Sequence, residues 1–239
     1  MLKEYFQFRI TNLKVRLFLG ALVVYGLAGC LWPDFLHSAD ALPQEDIVLS
    51  NINNYFNPIT FTFLFGFFLL LLTRDPIRYF FNVPVFTRMK SCKKSWNRLA
   101  IVLLLESFLF VLFAYFLMLL RAFWFRQASE CLRYWPDLLK CLVLQTAGCF
   151  SWLFLLACIS VLARSQAAGF CAAFLAMLID YVAQTRYLKT FTTSFIDVYP
   201  GETAVFGLPL VFLIVVLLLA FQLIAYVLES RDYLPMEVK

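Results

Sequence analysis

Between Leu99 and Leu120 the chain runs with one charged residue, Glu106. As a helix rising about 1.5 Å per residue, that stretch is about 33 Å long, close to the roughly 30 Å hydrocarbon core of a bilayer. Comparable apolar runs occur at about 17–32, 55–73, 141–163, 167–183 and 205–228. With 63% hydrophobic and 15% charged residues and a mean hydropathy of +0.81, there is too little polar surface to clothe a soluble domain around them. The pattern predicts an all-α polytopic membrane protein of six transmembrane helices, folded as one domain over residues 1–239. No repeat or linker marks a second one.

Charge orients the spans. Residues 74–98 carry Arg74, Arg78, Arg88, Lys90, Lys93, Lys94 and Arg98 against one acid, Asp75. Loops rich in Lys and Arg stay on the cytoplasmic side during insertion. With this loop inside, fourteen of the twenty Lys and Arg residues fall on the cytoplasmic side and six outside, which predicts cytoplasmic N- and C-termini. Residues 33–57 fit the outer side, since they hold Asp34, Asp40, Glu45 and Asp46 but no Lys or Arg. Ahead of the first span, Leu2, Phe6, Ile10 and Leu13 recur at helical spacing opposite Lys3, Gln7 and Lys14, the pattern of an interfacial helix over 1–16. Leu27, Ala28, Gly29 and Cys30 spell a lipoprotein-type cleavage box, but the spans that follow favour a membrane helix in which Gly26 and Gly29 admit a neighbour.

The connections carry their own signals. Asp75-Pro76 and Val83-Pro84 should break the 74–98 loop into short amphipathic helices with Tyr79, Phe80 and Phe86 on their apolar side. Residues 121–140 form an outer loop with Trp124, Tyr134 and Trp135 at headgroup depth. Arg164, Ser165 and Gln166 mark a tight turn. Residues 186–204, with Phe191, Phe195 and Ile196, should re-enter the membrane in part, as irregular backbone does only where protein or a wet cavity covers it.

Most soluble-enzyme chemistry is missing. There is no GxxxxGK[ST] nucleotide loop, no GxSxG elbow and no HExxH, and His37 is the single histidine, so no metal site and no catalytic centre are expected. The seven cysteines lie mostly in apolar runs and read as buried thiols. Basic residues beside membrane runs do not make a nucleic-acid surface.

Two carboxylates inside spans remain, Glu106 and Asp180. A charge at bilayer depth costs about 2.5 to 3.5 kcal/mol on insertion scales, so such residues face a bundle interior or cavity. Gly169, Ala173, Ala176 and Asp180 share one small-residue helix face that suits close packing. They are candidates for a translocation path or a helix interface, with Gln145 as a further interhelical hydrogen-bonder. Structural hydrogen bonds for the two acids are the competing reading.

At Arg88-Met89-Lys90-Ser91-Cys92-Lys93-Lys94-Ser95-Trp96, directly before a long span, the sequence resembles small permease subunits of ABC transporters of the type-2 exporter class, as found in bacterial gene clusters for antimicrobial-peptide export or immunity. The layout of spans and loops is similar across nearly the whole chain. The resemblance implies a coupling helix around residues 74–86, docked on a separate ATPase subunit that binds ATP and Mg. The coupling set would comprise Arg74, Asp75, Arg78, Tyr79 and Phe80, followed by Arg88, Lys90, Ser91, Lys93, Lys94, Trp96 and Arg98. It further implies a second permease copy or similar subunit, a bacterial cytoplasmic membrane, and export of an amphipathic peptide or lipid-like substrate. The residues also admit a non-transporting scaffold or immunity protein, and an ion-coupled carrier using Glu106 and Asp180.

Overall fold

The computed structural model describes residues 56–81, 91–124, 134–186, 188–198 and 207–230, together with Leu17, Gly20 and Val24. The expected interfacial helix over 1–16, most of the first span, Arg88, Lys90 and the tail lie outside the described residues. Among the described residues there is no strand. Six helices follow in order from residue 58: α1 (Pro58–Phe80), α2 (Cys92–Trp124), α3 (Trp135–Leu162), α4 (Gln166–Thr185), α5 (Phe191–Phe195) and α6 (Gly207–Ser230). All but α5 are long and apolar enough to cross a membrane, five among the described residues.

Each start has a local cause. Asn57 caps α1 by accepting from the Thr60 N–H at 2.7 Å, and Pro58 supplies the preset φ of a first helical residue. The helix then widens into a π-helical stretch over Phe61–Phe65, closed where the Gly66 N–H reaches back to the Phe61 carbonyl. Ser165 caps α4 by accepting from the Ala168 N–H. Just before it, α3 ends in a Schellman turn: Ser165 N–H bonds the Ser160 carbonyl and Arg164 N–H bonds the Val161 carbonyl. Arg164 holds the left-handed position of that turn, at φ 52°.

Two expectations about the 74–98 segment are corrected. Pro76 does not break the helix: α1 continues through Arg74, Asp75 and Pro76 to Phe80, with Pro76 buried inside it. Proline removes one backbone donor, and apolar surroundings favour keeping the remaining helical bonds over exposing them. Likewise, residues 92–98 do not lead into α2 but form its first two turns. Trp135, expected in a loop, opens α3.

The core centres on α3, which packs against α1, α2, α4, α5 and α6. Aromatic contacts tie the layers together. Phe110 of α2 meets Phe56 and Phe65 at ring-centroid distances of 6.4 and 6.2 Å. Phe67 of α1 meets Phe170 and Phe174 of α4 edge-on at 5.5 and 5.3 Å. Small residues bring α3 and α4 together: a side chain at Gly169 would strike Ser160 and the Leu156 carbonyl, and Ala173 is fully buried. The outer sides of α4 and α6, with Leu175, Ile179, Phe212 and Leu219 exposed, suit hydrocarbon rather than water.

Candidate functional site

Chain connectivity and two polar contacts bring several helix ends to one end of the bundle. The Gln166 side-chain amide donates to the Arg74 carbonyl at 3.5 Å, joining the α3–α4 turn to α1. Lys93 Nζ lies 3.4 Å from Glu229 Oε1, joining the start of α2 to the finish of α6. On this end Arg74, Arg78, Lys93, Lys94 and Arg164 are exposed, and Arg98, Asp75, Tyr79 and Ser91 are half-buried. Sequence reasoning named all of these for coupling except Arg164, which the fold of the turn adds.

Two members of the expected coupling set are not on that surface. Phe80 is buried, and Trp96 has no exposed area, lying against Phe154 and Phe221 at centroid distances of 5.5 and 5.9 Å. Helix phase explains it. Trp96, Leu99 and Leu103 repeat at three and four residues on the inward face, whereas Lys93, Lys94 and Asn97 occupy the outward one. Trp96 therefore anchors α2, α3 and α6 to one another below the charges.

The opposite end is organised by α5. Both carboxylate oxygens of Asp180 are engaged there: Oδ1 accepts from the Phe191 N–H at 2.9 Å and Oδ2 from the Thr192 N–H at 3.0 Å. Thr190 and Thr193 complete the start of α5 with a reciprocal capping box. At its finish, the buried Gln145 amide donates to the Ile196 carbonyl at 3.0 Å. Gly148 lets this segment approach α3, since a Cβ there would lie 2.8 Å from Ile196 Cγ1 and 3.1 Å from Phe195 Cβ. Trp152 meets the Phe191 ring edge-on at 5.4 Å.

Asp180 thus holds backbone donors that a helix start leaves open, in the region where charge and helix dipole favour each other. It stands half-buried on the same face of α4 as Gly169, Ala173 and Ala176. Glu106 is half-buried on α2. Sequence reasoning placed Asp180 on a packing face and Gln145 among interhelical bonders; their shared target, the two ends of one short helix, had no local signal.

Among the described residues no three His, Cys, Asp or Glu side chains gather as metal ligands, and Cys92, Cys141, Cys149, Cys158 and Cys171 are free thiols. No protein-family model, curated protein or solved structure matches the chain. By length and apolar composition, its described helices define a class, the multi-pass helical membrane protein.

Proposed function

We propose that this chain is the membrane-spanning permease of an ATP-driven exporter of the ABC type, working on a separate ATPase subunit and paired with a second permease copy or similar subunit. The observation that carries the reading is the gathering of Arg74, Arg78, Lys93, Lys94 and Arg164 on one exposed end, in a chain with no nucleotide-binding loop of its own. Such a surface suits an acidic cytosolic partner, and its excess of Lys and Arg over Asp75 and Glu229 favours the inner side. ATP and Mg belong to the partner. Closure of the ATPase subunits would push on the ends of α1 and α2, and these rigid helices would transmit the movement through α3, which touches both. The substrate would be an amphipathic peptide or lipid-like molecule, and the setting a bacterial cytoplasmic membrane.

The engagement of both Asp180 oxygens with α5 disfavours Asp180 as the coupling carboxylate of an ion-coupled carrier, since such a group must exchange its partners during the cycle. The test is charge reversal of Arg74, Arg78, Lys93 and Lys94 together. Copurification of an ATPase with the tagged chain should fall at least tenfold while the chain remains in the membrane. Undiminished copurification contradicts docking on this end; an intact, membrane-active chain that never brings down an ATPase supports the scaffold reading instead.

A further inference from the structure

The outward side of α2 is apolar for most of its length and cationic at its start. Ile101, Leu105, Leu112 and Phe116 are exposed along it. The exposed apolar residues run from Ile101 to Leu120, about 28 Å of helix, which matches the roughly 30 Å hydrocarbon core. Lys94 is exposed and stands seven, eleven and eighteen residues before Ile101, Leu105 and Leu112, close to two, three and five turns. It therefore continues the side of α2 that faces the membrane. Its four-carbon stem can bring the ammonium to the level of the phosphates.

The finish of α1 repeats the arrangement. Phe67, Phe68 and Leu71 form its exposed and half-covered apolar arc, and Arg74 and Arg78 follow in the same phase, both exposed. Side chains on a helix lean toward its N-terminus, which in α1 is back toward the hydrocarbon. Arg74 adjoins the apolar stretch, and Arg78 stands about 6 Å beyond Arg74. That interval fits within the headgroup layer, roughly 5 to 8 Å thick on each side of the core.

The anions of this end leave these three cations in excess. Glu229 pairs with Lys93 at 3.4 Å. No side chain among the described residues pairs with Arg74, Arg78 or Lys94. Asp75, half-buried on α1, is the one other acid on this end among the described residues. Since α1 and α2 pack against each other, the three cations belong to one rim of the bundle.

We propose that this rim binds phospholipids of net negative charge from the adjoining leaflet, their phosphates accepting from the Arg74 and Arg78 guanidiniums and the Lys94 ammonium. The planar fork of arginine matches two phosphate oxygens at once, and lysine adds a point charge. A zwitterionic lipid offers the same phosphate but brings an ammonium of its own, which the neighbouring cations repel, so the rim selects for net charge. A cytosolic protein meets the helix ends from beneath, whereas lipid meets this rim from the side. The rim stands on this geometry whether or not an ATPase docks below.

The full chain, purified without a partner, is placed in phosphatidylcholine vesicles at low salt with a trace of spin-labelled lipid. Electron paramagnetic resonance reads the fraction of label immobilised on the protein. Labelled phosphatidylglycerol should associate about twofold more strongly than labelled phosphatidylcholine, and about 1 M salt, with a screening length of about 3 Å, should remove most of the excess. Arg74→Gln, Arg78→Gln and Lys94→Gln together should at least halve it. Arg74→Lys, Arg78→Lys and Lys94→Arg together should keep it, which controls for packing. Arg186→Gln with Lys189→Gln, exposed at the opposite end, should leave it unchanged. Equal association of the two lipids with the unaltered chain overturns the proposal. So does a preference that survives the three Gln changes, or one that falls as far in the Arg186 and Lys189 variant. Indifference to lipid charge, together with retention of the chain on polyglutamate beads through these same three residues, gives them to an acidic protein instead.

Discussion

At one end of the bundle Arg74, Arg78, Lys93, Lys94 and Arg164 stand exposed on helix ends and a turn; at the other, Asp180, Gln145 and Gly148 hold a five-residue helix in place. The first end carries cations on its exposed surface, one of them, Lys93, paired with Glu229. The second uses its polar groups internally, on backbone donors and acceptors that would be costly to leave unpaired at membrane depth. One arrangement suits an exchangeable partner, and the other suits a fixed closure of the bundle. The α3–α4 hairpin connects them, since its turn carries Arg164 while its far portions carry Gln145 and Asp180.

Breaking the hairpin should disturb both ends, with the largest effect. Gly169→Val would place a side chain against Ser160 and the Leu156 carbonyl, where backbone cannot yield, and overpacking of this kind costs about 3 kcal/mol. Thermal unfolding of the detergent-solubilised chain should show the loss. Next in size, Asp180→Ala removes both acceptors from the start of α5, a capping loss of about 1 to 2 kcal/mol. Hydrogen exchange should rise at 191–195 and stay unchanged at 92–98, which separates the two ends; a uniform rise would dissolve the distinction. Lys93→Ala should have the smallest effect, within about 1 kcal/mol, because both partners of its ion pair are half-exposed. A larger loss in thermal unfolding would mean that this end, too, is held together by its charges.

Hydropathy made the spans legible because burying apolar helix is what the bilayer requires, and the described long helices follow the expected runs to within a few turns. Charge marked residues 74–98 as a polar cluster, but Arg74, Arg78, Lys93 and Lys94 stand on the ends of two long helices rather than in a loop. Trp96 was misread because the resemblance over residues 88–96 implied a place in the coupling set; only its phase with Leu99 and Leu103 shows the inward direction. Pro76 was misread because proline signals weigh local geometry, while the surrounding helices decide whether a broken backbone can be tolerated. The clasp on α5 was illegible for a different reason. Gln145 bonds a carbonyl 51 residues away, and a backbone acceptor leaves no mark in the identity of Ile196.

The central claim is that these two ends face opposite sides of the membrane, with the cations inside. In a background without native cysteines, Lys94→Cys and Lys189→Cys can each be treated with a membrane-impermeant maleimide on intact cells. Lys189→Cys should be labelled at once and Lys94→Cys only after the membrane is opened. Labelling of Lys94→Cys from outside, with Lys189→Cys protected, contradicts the account.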